Sequence, residues 1–315
     1  MTRTGEPLDV VIIGAGPAGL TAALYAGRAL LFTKIVEKAI PGGQLTETDQ
    51  IENWPGFAET IAAPELMTAL RKQVERFGAE FVQDEVIRID PGKPYHVVVT
   101  PRTSFTAKSI ILAPGSRPRE LPAPGAARLK GKGVSYCATC DGFFFQGKSI
   151  VEVGAGDSGL TESLFLTRFV ESVSIVVRHR QEDARAIRGS AILRRRAKEN
   201  PKIQFLWNCV VDEVLGTERV DGVRLRDVES GETRVLKTDG VFVNIGHDPQ
   251  TEFLRGTVAL DGDGYIEADA YLHTDVPGIF AAGDARVFTH RYAQGVVAAG
   301  EGAIAAIEAE KHVSG

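Results

Sequence analysis

Uniformly apolar runs that stop abruptly on glycine set the pattern of this chain. Val10–Ile13 is such a run and leads straight into Gly14-Ala-Gly16-Pro-Ala-Gly19. A helical run follows over Leu20–Leu30, and a second apolar stretch, Thr33–Val36, ends on Glu37. Short apolar runs without alternation suit strands buried on both faces, and a parallel pair needs a helical crossover, so this is a βαβ unit. The pattern recurs near the middle: Ser149–Val153, the turn Gly154-Ala-Gly156-Asp-Ser158-Gly159, a helix over Leu160–Phe169, and a strand over Ser172–Val177. Tyr95–Thr100 and Ser109–Leu112 read as strands between the two units. Gly115–Pro118 and the Pro/Gly-rich Leu121–Gly125 read as a linker, and a second boundary falls near Gly246–Pro249. Beyond it come strand-and-turn residues Gly278–Ala282 and a last helix over Gln294–Lys311. The chain is therefore α/β, with two Rossmann-like three-layer units that are separate sites and not links of a solenoid.

Each glycine turn carries its chemistry in context. Gly14 permits the tight turn, Gly16 lets backbone approach a pyrophosphate, and Gly19 lets helix pack closely on strand. The helix start offers free N–H groups to phosphate, and Glu37 at the end of the next strand suits ribose hydroxyls. A bare turn without a ligand is the competing reading, weaker here because strand, helix and acid all stand in place. The second unit, Gly154, Gly156, Ser158 and Gly159, has no acid at the ribose position. Its second strand ends in Arg178-His179-Arg180, with Arg185 shortly beyond. Guanidinium groups there favour a 2′-phosphate, hence NADP over NAD. Arg194, Arg195 and Arg196 read instead as a solvated helix face.

Composition narrows the class. The 315 residues suit about two domains, and 43% hydrophobic with 24% charged residues exclude a disordered chain. The 34 glycines show no three-residue period, which excludes collagen. A net charge of −5 offers no general attraction to nucleic acid or anionic membrane. No apolar run approaches the ~18 residues needed to span a bilayer, and Met1–Asp9 shows no secretory core, so a soluble cytoplasmic protein is expected. Three cysteines are too few for a disulfide-stapled secreted fold. Cys209 reads as a buried inert thiol. Cys137-Ala-Thr-Cys140 could be a half zinc site, two unreactive thiols or a redox pair. The first lacks two further ligands, whereas the spacing allows reversible disulfide formation. Asp141 adjoins it as a candidate proton shuttle or an ordinary first-turn acid. No metal is expected.

Taken in order, Gly14–Gly19, Gly42-Gly43-Gln44-Leu45, Glu52-Asn53-Trp54-Pro55-Gly56, Cys137-Ala-Thr-Cys140-Asp141-Gly142, Gly154–Gly159, His179-Arg180 and Phe280–Ala285 resemble the low-molecular-weight thioredoxin reductases over essentially the whole chain. The resemblance implies a discontinuous FAD domain, residues 1–116 and 248–315, with residues 117–247 inserted as a pyridine-nucleotide domain carrying the cysteines. It implies a homodimer, and FAD contacts at Gly43, Gln44, Asn53, Gly283, Asp284 and Gln294, with the backbone near Val86 against adenine. It further implies that Cys140 faces the flavin while Cys137 attacks the partner, the central domain rotating on linkers near Gly115–Gly125 and Gly246–Pro249.

Four departures from the family pattern stand out. Gln181 replaces a phosphate-binding arginine, Ala293-Gln294-Gly295 stands for Arg-Gln-Ala, Ala113-Pro114-Gly115 for Ala-Thr-Gly, and Glu152 puts a charge in a strand expected to be buried. A buried carboxylate needs a partner or an exposed strand edge. The expected activity is reduction of thioredoxin or a thioredoxin-like protein, electrons passing from NADPH through FAD to Cys137–Cys140. The alternatives are a reductase fed by a ferredoxin-like donor with a vestigial nucleotide site, and a non-catalytic redox sensor.

Overall fold

The computed structural model describes residues 6–47 and 50–315, so the reading of Met1–Asp9 lies partly outside it. The chain divides into two units, residues 1–117 with 248–315, and residues 118–247. The first unit opens with β1 (Leu8–Ile13), α1 (Pro17–Arg28), β2 (Thr33–Glu37), α2 (Ala63–Arg76), β3 (Glu80–Gln83), β4 (Arg88–Asp90), β5 (His96–Val99) and β6 (Ser104–Leu112). The second contains β7 (Val134–Ser135), α3 (Ala138–Asp141), β8 (Ser149–Val153), α4 (Asp157–Leu166), β9 (Ser172–Val176), α5 (Ala191–Glu199), β10 (Ile203–Leu206), β11 (Cys209–Leu215), β12 (Gly222–Asp227), β13 (Thr233–Lys237) and β14 (Gly240–Val243). The chain then returns to the first unit through β15 (Ile279–Ala281) and α6 (Gly295–Ser314).

The first unit is built on a seven-stranded sheet ordered β3-β2-β1-β6-β5-β4, with β15 also on β6. Strands β3, β2, β1, β6 and β15 run parallel, and β5 and β4 complete an antiparallel extension. Every residue of β1 is buried, as a strand covered on both faces must be. One apolar cluster joins Val10, Ile12 and Leu20 with the alanines of α6; the other gathers Val11, Ile110 and Ile279 on the opposite face. The second unit has a parallel five-stranded sheet, β7-β14-β8-β9-β10, and an antiparallel three-stranded sheet, β11-β12-β13. Its helices cover Ile150 and Phe242, while Val151 and Val153 pack toward the antiparallel sheet.

Several boundaries differ from the sequence reading. Helix α1 begins at Pro17, three residues before the expected Leu20, because proline at the first helical position has the required φ and no N–H to satisfy. Helix α4 likewise starts early and ends at Leu166. Ser116–Pro118, read as linker, is a short strand, a place that tolerates proline at its end. The antiparallel sheet and α2 went unread, since their charged faces dilute the apolar pattern. Among the described residues no helix is long and apolar enough to cross a membrane, and no group of three metal-ligating side chains occurs.

Candidate functional sites

In the first unit, side chains far apart in sequence meet at the start of α1. Gly14 sits at φ +95°, and a Cβ there would lie 2.1 Å from the Ala113 carbonyl oxygen, so only glycine makes this turn. The Gly16 N-cap position has no side-chain cap, which leaves the helix N–H groups for a ligand. The Glu37 carboxylate accepts from the backbone N–H of Ala15 at 2.7 Å and of Ala39 at 2.8 Å. The Glu37 carbonyl accepts from Asp84 N–H at 3.1 Å, which brings the Val86 segment alongside. The Gly42 N–H donates to the Ala15 carbonyl at 2.7 Å, laying Gly43-Gln44 against the turn. Gln44 donates to Ser116 through Nε2. Asn53 donates to Gln294 Oε1 at 3.0 Å across 241 positions of sequence. Gly295 packs between Leu45 and Trp54, close enough to leave little room for the alanine expected there.

Asp284 lies in the same neighbourhood, since Gly283 faces Ala18 of α1. Its Oδ1 is buried without a partner among the described residues. Burial first, and the charge of Glu301 second, push its carboxyl up to about 6. Glu301, on α6, accepts from Gly283 N–H at 2.9 Å and Thr289 Oγ1 at 2.5 Å, and pairs with the buried Arg286 at 3.2 Å. Neither Glu301 nor Arg286 was singled out from sequence. A lone acid inside the alanine-rich Val296–Ala306 stretch was the signal available. An uncapped helix start, a turn that excludes side chains and an orphaned acceptor together fit a dinucleotide with a hydroxylated chain, as FAD has.

The second unit repeats the turn. Gly154 has φ +119° and faces the Asn244 carbonyl, and Gly156 is open to its surroundings. Ser158 is exposed in the first turn of α4, which has no side-chain cap. The pyrophosphate of a dinucleotide fits this turn through its glycine geometry and uncapped helix start. The expected 2′-phosphate groups lie nearby, but each has an acidic partner. Both oxygens of Glu229 accept from Arg180 Nε and Nη2. Asp183 accepts from Arg185 Nε at 3.0 Å and Nη2 at 2.7 Å, and stands 3.4 Å from His179 Nδ1. Arg185 holds the Asp183 carboxyl well below the usual carboxylate range. The acids were legible as residues; their closeness was not.

Glu152 lies at no exposed edge. It is fully buried on β8, the middle strand of its sheet. Its partner is Asn244, whose Nδ2 donates to Glu152 Oε1 at 3.0 Å and Glu162 Oε2 at 2.8 Å. Burial, reinforced by Glu162, raises the Glu152 carboxyl well above its ordinary range. Its Oε2 is buried without a partner among the described residues.

Cys137 and Cys140 are joined as a disulfide. Cys137 is the N-cap of α3: its Sγ accepts from Cys140 N–H at 3.2 Å and lies 3.4 Å from Thr139 Oγ1. Cys140 is exposed, Cys137 and Asp141 half-buried. Gly142 rests against Leu166 and Phe165 of α4, so the disulfide is carried by the helix behind the glycine turn. Cys209 is buried, donates to the Leu206 carbonyl, and has its thiol pushed up by burial.

Residues 8–302 match the family model of pyridine nucleotide-disulphide oxidoreductases. The chain is 46% identical to a thioredoxin reductase of Streptomyces coelicolor over 96% of its own length and 92% of that protein's. It is 44% identical to one from Bacillus subtilis, over 97% and 94%. The structure resembles the thioredoxin reductase of Lactococcus lactis with a TM-score of 0.93 at 40% identity, covering 98% and 99% of the two chains.

Proposed function

The chain belongs to the pyridine nucleotide-disulphide oxidoreductases, and within them to the thioredoxin reductases, a family that uses FAD and NADPH; from that premise we propose that it reduces thioredoxin or a thioredoxin-like protein with electrons from NADPH. The Cys137–Cys140 disulfide, set in one unit with the Gly154–Gly159 turn, carries this reading. Gly14, Gly16, Gly19, Glu37, Gly43, Gln44, Asn53, Val86, Gly283, Asp284 and Gln294 would hold FAD. Gly154, Gly156, Ser158, Gly159, His179, Arg180 and Arg185 would hold the nucleotide. FAD, when bound, supplies the two-electron relay between nucleotide and disulfide.

The protein's own groups then carry out the exchange. In the reduced pair, the Cys140 N–H and the Thr139 hydroxyl stand ready to stabilise a thiolate at Cys137. That thiolate attacks one sulfur of the partner's disulfide; a Cys137–partner bond forms, the partner's S–S bond breaks, and a partner thiolate leaves. Asp141 serves to hold and deliver the proton that the leaving sulfur takes up. Cys140 then gives up its proton to Asp141 and attacks Cys137 Sγ as the thiolate; the internal disulfide closes, the Cys137–partner bond breaks, and the second partner sulfur takes a proton from water, so that the partner leaves as a dithiol. Phe143 and Phe144, 66% and 71% exposed just after the pair, offer an apolar rest for a protein rather than a small disulfide. The enzyme acts as a cytoplasmic homodimer in this reading.

Cys140→Ser should lose turnover, keep FAD, and trap thioredoxin as a mixed disulfide on Cys137, seen by non-reducing electrophoresis and mass spectrometry. Cys137→Ser should lose turnover and trap nothing. Trapping on Cys140 would reverse the two roles, and steady turnover by either variant would overturn the reading. Reduction of the flavin by dithionite but by neither NADPH nor NADH at millimolar concentration would reassign the donor.

A further inference from the structure

In the loop after β9, Arg185 and His179 gather on the loop's own Asp183. Asp183 collects Arg185 through three donors, its backbone N–H and two guanidinium N–H groups, with His179 beside it. Arg180 instead reaches Glu229, in the turn joining β12 to β13. That turn is built firmly. Asp227 Oδ1 accepts the backbone N–H groups of Glu229 and Ser230 at 2.9 and 2.8 Å. Val228 N–H donates to the Asn208 carbonyl at 2.9 Å, and Asn208 N–H donates to the His179 carbonyl at 3.0 Å. A continuous set of hydrogen bonds thus ties the residue before Arg180 to the residue before Glu229. The fold brings the backbone of Glu229 within reach of Arg180, whose guanidinium its exposed carboxylate grips.

A carboxylate gripping Nε and Nη2 of an arginine uses the same planar fork that a phosphate would. A phosphate monoester brings roughly −1.5 to −2 charges. Here Arg180 and Arg185 are already balanced by Glu229 and Asp183, and Gln181 adds no charge. We propose that Glu229 is a specificity-determining residue: it competes with the 2′-phosphate for Arg180, so that this chain separates NADPH from NADH only weakly, and removal of this single carboxylate creates the preference. This rests on the reading that the Gly154–Gly159 turn binds a pyridine nucleotide.

The test is calorimetric titration of the FAD-loaded protein with NADP⁺ and NAD⁺, which needs no turnover. The parent should bind the two within about fivefold of each other. Glu229→Gln should tighten NADP⁺ about tenfold and change NAD⁺ less than twofold, and this gain should vanish in Arg180→Ala/Glu229→Gln. Glu232→Gln, in the same turn without contact to Arg180, should leave both affinities within twofold. An unchanged NADP⁺ affinity in Glu229→Gln, an equal gain for both nucleotides, or a gain that survives loss of Arg180 overturns the proposal while leaving nucleotide binding intact. No heat of binding for either nucleotide, with parent or variant, would overturn the nucleotide reading itself and this proposal with it.

Discussion

Asp284, half-buried with its Oδ1 enclosed, and the fully buried Glu152 are both acids raised by burial, and each leads to its own expectation. For Asp284, with its carboxyl raised from 3.8 to about 6, the folded state favours the proton. Its contribution to stability is therefore complete below the ordinary carboxylate range and is lost as pH rises through about 6. In flavin-free protein, the parent should lose about 1 kcal/mol relative to Asp284→Asn between about pH 5 and about pH 7.5, read from urea midpoints. A parallel pH course in the two proteins would contradict the raised carboxyl. The Glu152 carboxyl is raised in the same direction, so Glu152→Gln should gain on the parent as pH rises. Asn244→Ala, which strips the shared donor from Glu152 and Glu162, should cost about 1–3 kcal/mol. The sequence flagged Glu152 as needing a partner. It could not supply Asn244, 92 positions away, because strand pairing and not spacing brings the two together.

At the scale of elements, the two glycine turns separate folding from binding. Gly14 has a left-handed φ and stands against Ala113 backbone that cannot yield, so Gly14→Ala should fail to fold or lose FAD on purification. Gly156 adopts an ordinary φ and would meet nothing within 4 Å. Gly156→Ala should therefore keep its melting temperature and its FAD while losing tenfold or more in nucleotide affinity, about 1.4 kcal/mol per decade. Equal affinity in parent and variant would mean that no phosphate approaches there. Both turns were legible because each is local, a strand, a glycine run and a helix within some 25 residues. Helix α2 and the β11-β12-β13 sheet were not. Their apolar positions share each stretch with arginine, glutamate and lysine, and only packing shows which face is inward.

For the whole molecule, FAD should act as part of the first unit's structure. Ligand that binds only the folded state adds about 2.7 kcal/mol at a hundredfold its Kd, so flavin-free protein should melt lower and recover on addition of FAD but not FMN. FMN lacks the adenosine half that Glu37 and the Gly14–Gly19 turn address; equal recovery by FMN would remove that role. The order of motifs along one chain determined the family resemblance, the two dinucleotide turns and the cysteine pair, because each is written in neighbouring residues whose spacing alone sets the geometry. Tertiary structure decided the rest. It set Asn53 on Gln294, placed Glu301 behind Gly283, raised the Glu152 carboxyl beside Glu162, and gave each of Arg180 and Arg185 a carboxylate. A charge's effect depends on what the folded chain brings within a few ångströms of it and on how much water it excludes, and neither quantity is carried by sequence distance.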